Sequence, residues 1–332
     1  MTRTVLSVRD LGVSFRSPAG PVRAVDGLSF DLARGETLAL VGESGCGKSA
    51  TALALMRLLP PGAAASGRVL FEGADLLALP ERRMRALRGG RIAMVFQDPM
   101  SSLNPVMTIG DQLVEAIRAH APLDRRRARA RAAELLEVVH IPEPGRRLAE
   151  HPHRLSGGMR QRVVIAMALA AEPSVLIADE PTTALDVTIQ AQILRLLCEL
   201  QRGFGMAILL ITHDLGVVAE TAHRVAVMYA GRTVEERPVE ALFADPRHPY
   251  TRGLMAAMPR LSVEEAGGRA PLREIPGMVP SPAERPKGCA FAPRCGQAVA
   301  ACHAVAPAFR PLGPAAGVAC PVVSAQPLRG AA

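Results

Sequence analysis

At 332 residues, 49% of them hydrophobic, the chain can bury a large core and suits one sizeable domain with an extension, or two domains. Its longest apolar run, Val163 to Ala171, falls well short of the roughly 18 residues a membrane-spanning helix needs. The formal charge of +8 fits an anionic partner or simply an arginine-rich composition. The lack of Trp and the presence of only two Tyr leave few aromatic platforms for gripping single-stranded nucleic acid, and no nucleic-acid partner is expected.

The first ten residues contain no signal-peptide core, so the protein is expected to stay in the cytosol. Its cysteines should then be reduced or hold a metal. Short β-type runs at Val5–Val8, Val13–Phe15 and Leu28–Leu32 predict an antiparallel subdomain. Phe15 fits either its core or a stacking position for a nucleobase.

The apolar run Thr37-Leu38-Ala39-Leu40-Val41 reads as a buried strand. It runs into Gly42-Glu43-Ser44-Gly45-Cys46-Gly47-Lys48-Ser49 and then into an alanine- and leucine-rich helix starting near Ala50. Strand, glycine loop and helix are the context of a phosphate-binding loop. The glycines let successive N–H groups curl round an anion, and the helix start adds unpaired donors. Lys48 is expected to reach the β- and γ-phosphates, and Ser49 to take one position on Mg²⁺. Composition supports this, because Lys48 and Lys287 are the only lysines in the chain. Where arginine supplies charge everywhere else, a compact ammonium has been kept at the phosphate cradle. Cys46 lies inside the loop, so its thiol is expected to face nucleotide and to be shielded by it.

Further strands are predicted at Arg68–Phe71 and Arg91–Phe96, the second ending at Gln97. A glutamine at the carboxyl end of a parallel strand faces the crevice where α/β sheets bind ligands, within reach of Mg²⁺ or water. A helical insertion follows over about 98–171, with a break near Ile141–Gly145. Its arginine-rich run, Arg125 to Arg131, reads as the solvated side of a helix. Within it, Leu155-Ser156-Gly157-Gly158-Met159-Arg160-Gln161 places a capping serine and two glycines at a helix start, a second anion site. Ser174–Ala178 is a buried strand ending in Asp179-Glu180. One carboxylate suits magnesium and the other an attacking water. Asp186 follows at a helix start, and a further buried strand, Met206–Ile211, ends near His213. His213 would contact a γ-phosphate.

In this order the residues closely resemble the nucleotide-binding subunits of ABC transporters. Phe15 resembles the adenine-stacking aromatic, Gly42 to Ser49 with Ala50 the Walker A loop, and Gln97 the Q-loop. Leu155 to Gln161 resemble the signature, Val175 to Asp179 Walker B with Glu180, Ala184-Leu185-Asp186 the D-loop and His213 the H-loop. The strings Phe96–Pro105 and His248–Leu254, with the cysteine-bearing tail, are similar to the dipeptide/oligopeptide importer ATPases. Two residues depart mildly from that pattern: Cys46, where serine is commoner, and Leu155, where phenylalanine often stands.

The resemblance implies a P-loop α/β cassette over 1–255, with a RecA-like core sheet, an antiparallel β-subdomain and a helical insertion. An irregular extension would occupy 256–332. It implies ATP hydrolysis with Mg²⁺ held through Ser49, Gln97 and Asp179. The signature residues Leu155, Ser156, Gly157, Gly158 and Gln161 would act in trans on a second ATPase, in most cases a distinct subunit. The implied partners are two membrane permeases and an extracytoplasmic peptide-binding protein, with this chain peripheral on the cytoplasmic face of the inner membrane. In the tail, Cys289, Cys295, Cys302 and Cys320 do not follow a zinc-ribbon spacing, but four thiols in so short a stretch suggest a metal. The resemblance favours a [4Fe-4S] centre over the alternative, zinc. A soluble ABC-type ATPase of DNA repair or translation would need a long coiled-coil insertion or a second cassette, and a small-molecule kinase would not explain Ser156–Gly158 and His213.

Overall fold

The computed structural model describes residues 3–18, 20–183, 185–258, 274–313 and 315–323. In chain order its elements are β1 (Thr4–Ser17), β2 (Gly20–Ala33), β3 (Thr37–Val41), α1 (Lys48–Leu55), β4 (Ala63–Phe71), β5 (Ala74–Asp75), α2 (Glu81–Leu87) and β6 (Ile92–Val95). The next group is helical: α3 (Pro99–Ser102), α4 (Ile109–His120), α5 (Arg125–Val138), α6 (Pro144–Arg147) and α7 (Gly157–Ala168). Then come β7 (Val175–Asp179), α8 (Val187–Phe204), β8 (Ala207–Thr212), α9 (Leu215–Thr221), β9 (Arg224–Tyr229), β10 (Arg232–Pro238), α10 (Val239–Ala244) and α11 (Pro249–Ala256). The extension adds α12 (Ala300–Ala304), β11 (Arg310–Gly313) and β12 (Ala316–Val318).

Among the described residues the strands form two sheets. One is four-stranded in the order β2-β1-β4-β5; the other is eight-stranded, β11-β12-β10-β9-β3-β8-β7-β6. The predicted short β runs merge into the long antiparallel pair β1 and β2, whose register shifts near Val8 to Ser14 absorb the breaks in alternation. In the large sheet β9, β3, β8, β7 and β6 are parallel, and β3, β7 and β8 are buried along their whole length. Continuous apolar runs rather than alternation are what a sheet covered on both faces demands. Leu38, Leu40, Ile177, Leu209 and Ile211 pack on one side with Leu55 and Val69. Leu176, Ala178, Ile208 and Leu210 pack on the other with Leu135, Val163 and Leu194 of the helices.

The helices α3 to α7 lie between β6 and β7, as the insertion requires. The break near Ile141–Gly145 is real but contains the single turn α6. Caps set the helix starts: Thr108 accepts from the Asp111 N–H and Asp124 from the Arg127 N–H. On α5, Ala128, Ala132, Leu135 and Leu136 face the core while Arg125, Arg126, Arg127 and Arg129 stay exposed. The arginine run is thus the solvated face of an amphipathic helix.

The tail is irregular over much of its described length but does not stand apart. β12 pairs with β10, Glu235 opposite Val318, so the tail lengthens the main sheet. Arg285 donates to Asp26 of β2 at 2.9 Å and to the Arg23 carbonyl at 2.9 Å. Phe291 is buried against Tyr229 and Tyr250. Such attachment supplies order that the short tail could not generate from a core of its own. Parts of the expected extension, residues 259–273 and 324–332, and Ala184 of the expected D-loop lie outside the described residues.

Candidate nucleotide site

At the carboxyl end of β3 the chain must turn sharply beneath β9. A Cβ on Gly42 would stand 2.3 Å from the Met228 carbonyl oxygen, and one on Gly47 2.7 Å from that of Ala24. Gly47 also has φ 100°, a conformation that disfavours any side chain. These two glycines therefore fix the loop by close approach and by backbone conformation together. Lys48 is almost fully buried and donates to the Gly42 carbonyl at 2.8 Å and that of Glu43 at 3.1 Å. Its ammonium is held over the loop, where phosphate oxygens can replace those carbonyls.

Across the cleft lie the ends of β7 and β8. The Ser49 hydroxyl donates to Asp179 Oδ1 at 3.1 Å. Burial pushes the Asp179 carboxyl up, the Ser49 hydrogen bond works against this, and the charge of Glu180 adds to it. A carboxylate so disfavoured by burial gains from a cation, and a hydroxyl beside a carboxylate is the oxygen donor pair that suits Mg²⁺. Glu180 has φ 47°, a left-handed position that costs about 1–3 kcal/mol and persists where function needs it. That twist carries its side chain off the line of β7. Oε2 accepts from Gln97 Nε2 at 3.0 Å and from the Thr183 hydroxyl at 3.0 Å, and Oε1 lies 3.1 Å from His213 Nδ1. Burial works to raise the Glu180 carboxyl, but the hydrogen bonds from His213 and Thr183 outweigh it and hold the group below its ordinary range.

The resulting cleft has a volume of about 760 Å³, bounded by the loop from Gly42 to Ala50 on one side and by Gln97, Glu180, Thr183 and His213 on the other. One chain thus places a glycine-rich loop with its lysine, the Ser49 hydroxyl and an ionised carboxylate around a single space, with Asp179 in contact behind Ser49. Asp186, by contrast, caps α8 by accepting from the Ile189 N–H at 3.0 Å and does not line the cleft.

The expected second anion site also lies outside it. Ser156 caps α7, accepting from the Met159 N–H at 3.3 Å, and is exposed with Gly157. Gly158 is pinned against α8, where a Cβ would come within 2.5 Å of Ile189 Cγ2. Leu155 and Gln161 are buried beneath the helix start. None of these residues borders the cleft.

The family profile described as ABC transporter matches residues 25–183, and that of the oligopeptide/dipeptide transporter C-terminal region matches 234–302. A probable peptide ABC transporter ATP-binding protein of Sinorhizobium fredii is 53% identical over 318 residues, covering 95% of this chain and 94% of its own. The chain belongs to the ATP-binding subunits of peptide ABC transporters. The dipeptide transport ATP-binding protein DppD of Bacillus subtilis is 53% identical, covering 91% of this chain and 90% of its own. The oligopeptide transport protein OppD of the same species is 55% identical, covering 89% and 82%. Among solved structures, the dimeric post-hydrolysis cassette MJ0796 bound to ADP and Pi aligns with TM-score 0.63 and 27% identity, over 70% of this chain and 98% of that one. CbiO1 of Clostridium perfringens aligns with TM-score 0.62 and 30% identity, over 73% and 92%. This ABC subunit is accordingly an ATPase with the P-loop cassette fold and an antiparallel subdomain.

One expectation about a side chain changes, and another residue is placed at the edge of the β-subdomain. Cys46 does not face nucleotide: its thiol is fully buried in the core beneath the loop, and burial pushes its pKa up. The reason is steric, since a Cβ on Gly42 would meet Cys46 Sγ at 2.7 Å; the sulfur fills the space that glycine leaves. Phe15 is half-buried on β1, packs partly on the β-subdomain core and does not border the cleft.

The tail cysteines are neighbours. The Cys289 N–H donates to the Cys302 carbonyl at 2.7 Å. Burial raises the Cys289 and Cys295 thiols, and the charges of Cys302 and Cys320 raise both further. As placed, no three His, Cys, Asp or Glu side chains among the described residues are grouped to share a metal.

Sequence reasoning missed Thr183, Tyr250 and Arg294. The Glu43 N–H donates to Tyr250 Oη at 3.0 Å, and Arg294 grips the Glu43 carboxylate. Tyr250 was visible only as part of a family string, and Arg294 had no signal at all.

Proposed function

We propose that this ATPase powers the uptake of di- and oligopeptides through two membrane permeases fed by an extracytoplasmic peptide-binding protein, working as a peripheral subunit at the cytoplasmic face of the inner membrane. No helix among the described residues is long and apolar enough to cross a membrane, which agrees with a peripheral place. The names of relatives at 53–55% identity support the peptide class. The observation that carries the mechanism is the grouping of Gln97, Thr183 and His213 on one ionised carboxylate, Glu180, facing Lys48 and Ser49 across a single cleft.

In this reading the N–H groups from Gly42 to Ala50 and the Lys48 ammonium bind the polyphosphate. Glu180 accepts a proton from, and orients, the attacking water, held in place by Gln97 and Thr183. His213 steadies the γ-phosphate, and Phe15 stacks on adenine. Ser49 and Asp179, with Gln97, would hold Mg²⁺, which when bound neutralises phosphate charge.

A signature helix start that lies off the chain's own cleft supports a head-to-tail arrangement with a second ATPase, a distinct subunit, in which Ser156, Gly157 and Gly158 cap the partner's γ-phosphate and Asp186 lies at the junction. A [4Fe-4S] centre, or alternatively zinc, at Cys289, Cys295, Cys302 and Cys320 is supported by the soft donors gathered in one short extension. Iron and zinc analysis of anaerobically purified protein decides it, and no step of the reaction passes through it. The function is tested by reconstituting the subunit with its permeases and measuring uptake of labelled peptides: accumulation should require ATP and vanish with Lys48→Ala. Uptake that ignores the variant would overturn the assignment.

A further inference from the structure

The phosphate loop is held at Glu43 from outside the cassette motifs. Its N–H is tied to Tyr250 at 3.0 Å, its carbonyl accepts from Lys48 at 3.1 Å, and its carboxylate takes a two-point contact from Arg294 Nη1 at 3.0 and 3.1 Å. Arg294 belongs to the C-terminal extension, at the end of a single 3₁₀ turn from Ala292, next to Cys295. Its side chain is only 5% exposed.

The arginine is aimed by the extension rather than by the carboxylate. Nε donates to the Pro276 carbonyl at 2.9 Å and Nη2 to that of Ile275 at 3.1 Å, while Nη1 also reaches Tyr229 Oη at 3.3 Å. The guanidinium lies 5.8 Å from the centre of the Tyr229 ring and 5.9 Å from that of Phe291. A planar fork serving acceptors on several sides at once is something lysine cannot reproduce.

Glu43 borders the cleft that receives a polyphosphate. A free carboxylate there would repel the ligand, and a loop residue without its anchor would lose the geometry that directs its N–H groups inward. We infer that Arg294 is a positioning residue for the phosphate loop, through which the C-terminal extension sets the affinity for ATP by neutralising and fixing Glu43. The inference rests on the loop being the ATP site.

The test is a double-mutant cycle on the full chain, read as affinity for a fluorescent ATP analogue and as KM against kcat. Arg294→Ala should weaken ATP binding roughly tenfold, about 1.4 kcal/mol, with kcat at saturating ATP within about twofold of the parent. Glu43→Gln alone should weaken binding less than Arg294→Ala does, and adding it to Arg294→Ala should restore most of the loss, because the repelling charge is then gone. Arg294→Lys should fall between parent and Ala. A purely structural role would lower thermal stability without such rescue. If the Ala variant does not fold, Arg294→Met keeps the apolar stem and must show the same loss and rescue. Parent-like ATP binding by a folded Arg294 variant, or a loss that Glu43→Gln does not relieve, overturns the inference. Lys48→Ala separates the two levels: normal ATP binding by that variant defeats the loop reading itself.

Discussion

Replacing Glu180 by glutamine isolates charge from shape. The amide oxygen can take the place of Oε2 and keep accepting from Gln97 and Thr183, both at 3.0 Å, and the amide nitrogen can face His213 Nδ1, now 3.1 Å from Oε1. Packing is unchanged, so the fold and the loop from Gly42 to Ser49 should survive. What disappears is a carboxylate that its hydrogen bonds hold below the ordinary range, and hence ionised at neutral pH. A positioned general base contributes about 10²–10⁴ in rate, or about 3–5 kcal/mol of barrier. Because Gln97 and His213 remain to place the water, the middle of that range, about a thousandfold, is expected. The assay is phosphate release by the reconstituted transporter together with equilibrium binding of a fluorescent ATP analogue. Binding should be as tight as in the parent or tighter, since one negative charge has left the cleft. Turnover within tenfold of the parent would remove Glu180 from its catalytic role.

Ser156→Arg places bulk and charge on an exposed helix start away from the chain's own cleft, so ATP binding should persist while ATPase activity collapses; activity independent of subunit concentration and unaffected by the variant would defeat the composite site. Cys46, fully buried with a raised pKa, should react with iodoacetamide at an equally slow rate with and without MgATP until the protein is unfolded, and fast labelling that nucleotide blocks would contradict its position. Glu236 is pushed from 4.5 up to about 7, chiefly by burial, with Arg224 opposing and Glu36 adding to the rise. A raised folded pKa means that the contribution is complete below about pH 4.5 and is lost as pH climbs through 7, an effect of about 3 kcal/mol. Relative to the parent, Glu236→Gln should therefore gain stability in urea titrations between pH 5 and 8; a pH-independent difference would refute the burial argument.

The motifs were legible in the sequence because each is local. Gly42 to Ser49, Ser156 to Gly158 and Asp179-Glu180 are each short strings of backbone N–H groups and side chains only a few positions apart, so strand, loop and helix periodicity sufficed to place them. The fully buried strands β3, β7 and β8 announced a covered parallel sheet in the same way. Long-range geometry decided the rest. Nothing within the loop tells that Cys46 points into the core, since that follows from Gly42 lying under the Met228 carbonyl of a distant strand. Nor does proline spacing tell that the tail pairs β12 with β10 and sends Arg294 back across 251 positions to Glu43. Hydrophobic pattern selects an element and its buried face. Which neighbour closes on a turn, and which charge meets a given carboxylate, is set only when remote segments pack, because those contacts exist in no local stretch of chain.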